Sequence, residues 1–512
     1  MVKPNEKEKK MVLGVVWNCA TELKLLLTAL LILAGIATLI QVLPSSPFTI
    51  TTSDLRLCIS RISSPIPAVA PPNISQTPPL SEPPLLQPLP TPSPIPSPPS
   101  VERDQVLENG ILKRAFNGYG SAAYNFITMG AYRGGLNTFA VVGLSSKPIH
   151  VYSRPSYQCE WVSGSNSSSS VTTIGKKFLT DWGYGRVYTV VVVNCTFEQQ
   201  INGDNSGGKL ILHASTSGGG DTKFNLTDRF EVLEEAPGGL DVSIFTSTPK
   251  YDYFYCGSSL YGNLSPQRVR EWIVYHVRLF GAKSHFVIHD AGGIHEEVME
   301  VLKPWMELGY VTVQDIREQE RFDGYYHNQF MVVNDCLHRY RFMAKWMFFF
   351  DVDEYIYIPK NTLKSVLDSL SEYSQFTIEQ MPMNSKLCLT ADNHKLHRKW
   401  GFEKLVYRDV KKGIRRDRKY AIQPRSVFAT GVHMSQNLDG KTTHQTESKI
   451  KYYHYHGTIA QRREPCRNLL NVTELEFERN PYVLDTTLRD ISWGIKKFEG
   501  KMIGSRLQNT RQ

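Results

Sequence analysis

Cysteine is scarce in this chain, and its spacing excludes one common kind of metal site. The 512 residues contain eight cysteines, and no Cys-x-x-Cys pair is present. Thiolate zinc centres are usually built from such pairs, so a zinc site of that type is not expected. Extreme charge is lacking as well, because lysine and arginine together exceed the acidic residues by only nine.

The sequence also lacks a clear signal-peptidase site after its long apolar run. Residues 25–43 are uncharged and apolar over 19 positions, and Pro44 closes the run. A helix of this length is just long enough to cross a bilayer, and the run is longer than the apolar core of a typical signal peptide. Five lysines in residues 1–24 favour a cytosolic tail and a luminal remainder. We therefore predict a transmembrane anchor at 25–43, with a cleaved signal peptide as the alternative.

The next segment is too rich in proline to form a core. Residues 65–99 are almost half proline, with serine and threonine between. Such a sequence is extended, so residues 44–104 are interpreted as a stem that holds a folded part away from the membrane. Six glycosylation sequons agree with a luminal location. They begin at Asn73, Asn166, Asn194, Asn225, Asn263 and Asn471.

A luminal location bears on the redox state of the remaining cysteines and on the partners that a basic protein can meet. Six cysteines follow the stem, and disulfides are the default state in an oxidising lumen. Cys159 and Cys195 lie in the same β-rich stretch, so we predict that they pair, whereas the other pairings stay open. A luminal protein does not meet nucleic acid, so none is expected as a partner.

Two folded parts are predicted after the stem. Residues 105–245 show strand-like runs between Gly, Ser and Asn clusters, which is typical of an all-β sandwich. Residues 246–500 alternate strand and helix, which indicates a doubly wound, mostly parallel α/β sheet, and residues 501–512 form a tail. In the sandwich, Trp161, Trp182 and Tyr184 could stack on sugar rings, or they could fill the core.

Asp351 and Asp353 end an apolar, aromatic run that begins at Trp346. We expect a buried strand there, with both carboxylates on the same side of it, because side chains alternate along a strand. Two hard oxygen donors suit Mg²⁺ or Mn²⁺, and such an ion suits a diphosphate. Strand ends bind ligands in α/β folds, so the position indicates a nucleotide-sugar site. The alternative is an acidic strand end that faces water, since a bare Asp-x-Asp motif is common.

Other candidate residues complete such a site. His456 is predicted as a further metal ligand, because imidazole suits Mn²⁺ better than Mg²⁺. His454, two residues before it, is predicted as a donor-binding residue. The loop Cys256-Gly257-Ser258-Ser259 and the strand-end Asp290 are candidates for binding the base and ribose. A hydrogen-bonded core histidine and a solvated acid are the respective alternatives.

An inverting transfer also needs a general base for the acceptor hydroxyl. Glu403 is the first candidate, because it begins a helical stretch beside Trp400, which can stack on a sugar. Asp392, in a loop before it, is the second. A carboxylate at a helix start can also simply complement the helix dipole. The basic cluster at 411–419 is interpreted either as a solvated loop or as a surface that attracts acidic glycans.

Several of these segments together resemble glycosyltransferase family 92. The resemblance is carried by the stretches Arg270–His276, Asn328–Gln329, Cys336–Tyr340 and Trp346–Tyr355. It implies a GT-A (Rossmann-like) fold, Mn²⁺ with Mg²⁺ as the alternative ion, and UDP-α-galactose as donor. It further implies inversion to a β-1,4 link on galactan side chains of pectin, a carbohydrate-binding front domain, and homodimer formation. An anchor, stem and luminal head are the layout of Golgi transferases, so a single-pass type II Golgi membrane protein is expected.

Two other functions remain open from the sequence. One is a membrane-tethered glycan-binding protein whose transferase-like part does not turn over, and the intact Asp-x-Asp pair argues against it. The other is a transferase that uses another UDP-sugar, such as a pentose, or an N-glycan acceptor. The sequence does not fix the orientation of the sugar hydroxyl that separates these donors.

Overall fold

The computed structural model describes residues 103–115, 117–119, 125–146, 155–165, 169–180, 187–215, 227–322, 326–410, 418–473, 475–507 and 510. The predicted tail, anchor and most of the stem, and with them the sequon at Asn73, lie outside these residues, as do Trp182 and Tyr184. Among the described residues, no helix has the length and apolarity needed to cross a membrane. All of the described residues belong to one compact unit, Ser97–Gln512.

In the described residues of the front of this unit, the regular elements are strands and one short 3₁₀ helix, Val242–Phe245. The strands are β1 (Gln105–Val106), β2 (Leu112–Lys113), β3 (Asn117–Tyr119), β4 (Phe126–Arg133), β5 (Thr138–Ser146), β6 (Ser156–Ser163), β7 (Ser170–Leu179), β8 (Tyr188–Thr196), β9 (Gly208–Ser215) and β10 (Thr227–Glu235). Strands β3 to β10 form one antiparallel sheet in the order β10-β9-β6-β7-β8-β5-β4-β3. The predicted all-β character is therefore present.

This sheet curls on itself, which differs from the predicted sandwich of two separate sheets. Phe126 of β4 stacks on Phe230 of β10 with ring centroids 5.7 Å apart, although five strands lie between them in the sheet order. The concave face encloses a core that contains the predicted Cys159–Cys195 disulfide, which is confirmed. Trp161 lies in this core.

The remainder of the unit alternates helix and strand. Its helices are α1 (Pro266–Phe280), α2 (Glu296–Glu307), α3 (Gln329–Tyr340), α4 (Leu363–Asp368), α5 (Gly401–Lys404) and α6 (Thr487–Ile503). Its first strands are β11 (Tyr251–Leu260), β12 (Ser284–Asp290), β13 (Val311–Asp315), β14 (Ala344–Phe349), β15 (Glu354–Tyr357), β16 (Gln375–Pro382), β17 (Leu387–Leu389) and β18 (Tyr407–Asp409). The later strands are β19 (Lys419–Ile422), β20 (Val427–Ala429), β21 (Asn437–Leu438), β22 (Thr442–Thr443), β23 (Lys451–His454), β24 (Asn468–Leu470), β25 (Glu476–Phe477) and β26 (Asn480–Leu484).

Local sequence explains the best-predicted helix, α1. The Ser265 side chain accepts a hydrogen bond from the Arg268 N–H at 3.4 Å, and Pro266 occupies the first helical position. Proline is favoured there because its missing N–H would have had no helical partner. The helix ends at Gly281, whose φ of 77° lies in the region that glycine adopts without strain. These limits confirm the predicted start of the helix.

The large sheet has a doubly wound centre. Strands β13, β12, β11 and β14 are parallel neighbours in that order, and antiparallel β19 and β16 continue the sheet beyond β14. The chain winds from β11 to β13 in one direction and then returns to place β14 on the other side of β11. The order therefore reverses between β11 and β14, which is where α/β sheets bind ligands.

The two parts are joined more closely than the predicted boundary at 245/246 implies. Strands β1 and β2 extend the α/β sheet next to β13, so they are not part of the curled sheet. The convex face of the curled sheet packs on α3, with Val142 and Val190 in the same apolar cluster as Met331 and Val332. Because both parts share this core, we treat them as one folded unit.

Candidate active site

The two acids of the Asp-x-Asp motif lie in a turn and not on a strand, contrary to the prediction. Strand β14 ends at Phe349, and β15 begins at Glu354. The Glu354 N–H donates to the Asp351 carbonyl at 3.1 Å, which closes the turn. The alternation of a strand therefore does not apply, and the two carboxylates point to different partners.

Asp351 is held by three side chains. Its carboxylate accepts hydrogen bonds from Lys419 Nζ at 2.8 Å, from Ser258 Oγ at 2.9 Å and from Gln329 Nε2 at 3.4 Å. Burial works to raise the pKa of Asp351, but the Lys419 ammonium and the hydrogen bonds outweigh it and hold the pKa below its usual range. Asp351 is thus an anion paired with a buried lysine.

Asp353 meets both predicted histidines. Ligand atoms of Asp353, His454 and His456 all lie within 4.8 Å of one another, which is close enough to hold one metal ion. His454 Nε2 is 3.6 Å from Asp353 Oδ1, and the Gln380 amide contacts His454 Nδ1 at 2.5 Å, which orients the ring. Asp353 Oδ2 also accepts from the Gly457 N–H at 2.8 Å. Three donors are therefore pre-positioned, and His454 is one of them in addition to the predicted His456.

Glu354 completes the charged centre. Its side chain is 1% exposed, and it accepts a hydrogen bond from the Asp351 N–H at 2.7 Å. Burial raises the pKa of Glu354 to about 7, with Lys419 acting in the opposite direction from 3.7 Å. Glu354 thus stabilises the turn through its hydrogen bond to the Asp351 N–H, whereas the Asp353 carboxylate faces the two histidines.

These groups line a cavity of 640 Å³, a size typical of ligand sites. The cavity lies at the carboxyl end of β11, where the strand order reverses. Its lining includes Ser258 and Tyr261 from β11 and the loop after it, Gln329 and Phe330 from α3, the turn at 351–354, and residues 430–434. Two lining residues, Leu179 and Thr180, come from the curled sheet at the end of β7.

The backbone is strained at one edge of the cavity. Tyr326, His327 and Asn328 have φ values of 55°, 53° and 54°, in the left-handed region that residues with a Cβ adopt at a cost. The His327 ring stacks on Tyr261 at 3.7 Å, and its carbonyl accepts from Ser259 Oγ at 3.0 Å. This strained segment leads directly into α3 and so aims Gln329 at Asp351.

The predicted loop for base and ribose binding is instead part of β11. Cys256 forms a disulfide with Cys336 and is fully buried, so it does not bind a donor. Gly257 does not line the cavity, and its carbonyl contacts His289. Of the four residues of the predicted loop, Ser258 and Ser259 line the cavity. Asp290 does not line it either, because its Oδ1 accepts from the Gly292 and Ile294 N–H groups and shapes the following loop.

Both predicted general bases are wrong in position. Glu403 accepts from the Trp400 N–H at 2.6 Å and from Ser492 Oγ at 2.9 Å, and it pairs with Lys496. It therefore caps α5, which spans only Gly401–Lys404. Asp392 pairs with Lys399 and with Arg489, the latter at 2.6 Å. Neither carboxylate lines the cavity.

The predicted sugar-stacking residues that the structure describes are core residues. Trp400 is 7% exposed and packs against Phe402, with the Lys496 ammonium 5.3 Å from its ring centre. Trp161 is 4% exposed and stacks on Phe139 at 5.5 Å. Phe139 and Lys496 lie far from these tryptophans in the sequence, so local sequence did not show these two contacts.

Sequence reasoning missed three residues of the centre, namely Lys419, Gln329 and Glu354. Lys419 was counted within a basic cluster, but it is 3% exposed and pairs with Asp351. A signal existed, because Lys419 begins a run of apolar residues that forms β19 beside β14. Glu354 follows the motif directly, and its burial between two strands could have been inferred from the aromatic residues around it.

This chain is similar in sequence to a family of known proteins. Residues 251–491 match the sequence model of glycosyltransferase family 92. The chain is 61% identical to galactan beta-1,4-galactosyltransferase GALS3 of Arabidopsis thaliana over 99% of this chain and 98% of the relative. It is 62% identical to GALS2 of the same plant over 99% of both chains, and 55% identical to GALS1 over 78% of this chain and 80% of the relative.

A solved structure of S. aureus TarS with UDP matches 26% of this chain and 36% of its own, at 14% identity and a TM-score of 0.20, a likeness too small to bear on fold or function. The sequence relatives are decisive, because two of them share more than half of their residues with this chain over 99% of its length. The chain belongs to glycosyltransferase family 92, in the group that contains these galactan beta-1,4-galactosyltransferases.

Proposed function

We propose that this protein transfers galactose from UDP-α-galactose onto β-1,4-galactan chains of pectin, with inversion and with Mn²⁺ as cofactor. One observation carries the proposal. A cluster of Asp353, His454 and His456 lines a cavity where the strand order reverses, in a chain related over its full length to galactan beta-1,4-galactosyltransferases. That combination supports a donor diphosphate bound through a divalent ion.

The donor set fits a transition-metal ion better than Mg²⁺. One carboxylate and two imidazoles suit Mn²⁺, although the same set also suits other first-row ions such as Fe²⁺. An ion at this position neutralises the charge that develops on the leaving diphosphate. Ser258 and Lys419 hold Asp351 in place beside it, and the carboxyl end of β11 offers Ser259 and Tyr261 to the nucleotide.

The acceptor hydroxyl has to lose its proton to a group in the same cavity. A general base must come within hydrogen-bond reach of the proton that it removes. Glu403 and Asp392 lie outside the cavity in ion pairs, so we do not propose either of them for this role. The carboxylates that line the cavity are Asp351, Asp353 and Glu354.

We further propose a luminal site of action in the Golgi, reached through a single-pass anchor at residues 25–43. The three disulfides, Cys159–Cys195, Cys256–Cys336 and Cys388–Cys466, support an oxidising compartment. The family resemblance adds homodimer formation and a carbohydrate-binding role for the front domain to the proposal.

The test combines a metal titration with a donor screen. Binding of Mn²⁺ is followed by the electron paramagnetic resonance signal of free Mn²⁺, and transfer is measured with several UDP-sugars and a β-1,4-galactan oligosaccharide. We expect Asp353→Asn and His456→Ala to weaken Mn²⁺ binding at least tenfold, since each removes one of three ligands. UDP-galactose should be the preferred donor.

His394→Ala is the matched control, because His394 is exposed and lies outside the cavity. It should bind Mn²⁺ as the parent does. Unchanged Mn²⁺ binding in both site variants would remove the proposed metal centre. Preference for a pentose donor over UDP-galactose would instead retain the centre and overturn the donor assignment.

A further inference from the structure

The front domain contributes two residues to the lining of the catalytic cavity. Leu179 and Thr180, at the end of β7, line the same cavity as Asp351 and Asp353. The catalytic part faces them with Phe330 of α3 and with the loop at 430–437, of which all but Ser435 lines the cavity. A front domain that acted only at a distance would not need to reach this cavity.

This part of the lining is fixed in place on both sides. Phe178, next to Leu179, stacks on Phe428 with ring centroids 6.4 Å apart and planes 10° from parallel. On the opposite side, Asn334 exchanges two hydrogen bonds of 2.8 Å with the backbone of Thr430. The Tyr420 hydroxyl contacts Thr430 Oγ1 at 2.7 Å and donates to the Gly431 carbonyl at 2.5 Å. Because these contacts are already made, a ligand would meet a preformed surface.

Two buried polar atoms in the cavity have no hydrogen-bond partner within the described structure. Thr180 Oγ1 belongs to a residue that is 6% exposed, and Gln329 Oε1 to one that is 4% exposed. A buried polar atom without a partner costs about 1–3 kcal/mol, so such atoms are normally matched. Both residues line the cavity, and a ligand hydroxyl there would satisfy them.

Apolar side chains accompany these polar atoms. Leu179 is 43% exposed, and Val432 and Met434 line the cavity near it. A hexose presents one face of C–H groups and a rim of hydroxyls, so it needs apolar contact together with a few directed hydrogen bonds. The combination of Leu179 with Thr180 matches that requirement.

We propose that Leu179 and Thr180, together with the loop at 430–437, hold the terminal sugar of the acceptor chain. This inference rests on the proposed function, in which the diphosphate binds at Asp353 and the nucleotide at the end of β11. None of the groups assigned to the donor comes from the front domain, which leaves Leu179 and Thr180 available for the acceptor. The front domain then completes the acceptor subsite of the active site itself.

The experiment compares Thr180→Val and Leu179→Ala with the parent, in the full chain with Mn²⁺. The KM for a β-1,4-galactan oligosaccharide should rise about fivefold to tenfold in Thr180→Val, because one hydrogen bond is lost. Leu179→Ala should raise it by a similar factor through lost apolar contact. The KM for UDP-galactose should stay within about twofold, since a single hydroxyl of the front domain makes no contact with the donor in the proposed arrangement. Binding of the oligosaccharide alone, titrated by nuclear magnetic resonance, should weaken by the same factor as the acceptor KM rises.

Thr172→Val is the matched control, because Thr172 is exposed on the same strand and lies outside the cavity. It should leave the acceptor KM and oligosaccharide binding unchanged. Equal acceptor binding in the parent and both cavity variants would overturn the inference, as would a parent that does not bind the oligosaccharide. A parent that binds it but transfers nothing from UDP-galactose would overturn the proposed function, while weaker binding by the variants would still support the subsite.

Discussion

Two buried glutamates show how partners decide the role of a residue. Glu354 and Glu403 are 1% and 8% exposed, and both accept a hydrogen bond from a backbone N–H three positions earlier. Glu354 lies beside Asp351 and lines the cavity. Glu403 is paired with Lys496 on α6 and holds α5 in place. Sequence alone could not separate them, because the lysine partner is 93 positions away.

The first prediction tests Glu403 as a structural residue. Glu403→Gln should lower the free energy of unfolding by about 1–3 kcal/mol, because the ion pair with Lys496 and part of the hydrogen bonding are lost. The transfer kcat should stay within about twofold of the parent, since the carboxylate lies outside the cavity. Denaturant unfolding and initial rates measure the two quantities on the same preparation.

The exposed Glu300→Gln on α2 is the control for that change and should alter neither quantity. A fall in kcat of about a hundredfold in Glu403→Gln with unchanged stability would restore Glu403 as the general base, since that is the usual size of a base effect. Asp353, His454 and His456 were predictable from residue type and spacing. Lys419 was not, because it becomes a site residue only through the pairing of β19 with β14.

At the scale of elements, β11 and α3 together organise the candidate site. β11 supplies Ser258 and α3 supplies Gln329, and both side chains contact Asp351. The Cys256–Cys336 disulfide joins this strand to this helix. The disulfide therefore fixes the relative position of two elements that hold the same carboxylate.

The second prediction compares two disulfides of similar loop length. Replacing both Cys256 and Cys336 with alanine should lower the free energy of unfolding by about 4 kcal/mol, since an 80-residue loop is released. The same change at Cys388 and Cys466, 78 residues apart, should have a similar effect on stability. Only the first change should also raise the KM for UDP-galactose, because only it loosens β11 against α3.

Denaturant unfolding and donor titrations on the two double variants separate these effects. An equal rise of the donor KM in both would show that the disulfides act through overall stability alone. The parallel strands and their helices were predictable because their apolar patterns and caps are local. The sequence predicts a loop at 256–259 and a longer helix from Glu403, and both predictions are wrong because partners distant in sequence decide where those elements end.

At the scale of the whole molecule, the front and catalytic parts share a core and a buried ion pair. Arg114, between β2 and the curled sheet, makes two hydrogen bonds of 2.5 and 2.9 Å to Asp335 of α3. Both side chains are fully buried, and Tyr132 of β4 contacts the same carboxylate. The sequence predicts two parts but does not predict that they share a core. The apolar residues that join them are equally consistent with two separate cores.

The third prediction concerns the acid sensitivity of the catalytic part, in which four histidines are buried. Burial lowers the pKa of His276 and His338 to about 3, and that of His285 and His289 to about 4. Their unfolded pKa is about 6.5, so between about pH 6.5 and 4 the unfolded chain binds protons that the folded one refuses. Stability therefore falls as the pH decreases through this window. Each histidine should contribute a loss of about 2 kcal/mol between pH 7.5 and 5.

Glu354 has the opposite effect on stability. Its raised pKa of about 7 means that the folded state binds a proton at a higher pH than the unfolded state does, so stability rises as the pH decreases. Between pH 7.5 and 5, this gain in stability should roughly offset the loss that one of the four histidines contributes. Denaturant unfolding at pH 7.5 and 5, without metal, measures the net loss. His338→Gln removes one titrating group, so its stability should change by about 2 kcal/mol less than that of the parent between the two pH values. Identical pH dependence in parent and variant would show that His338 takes up its proton in the folded state, so that burial and its contact with the Phe428 carbonyl do not keep it neutral.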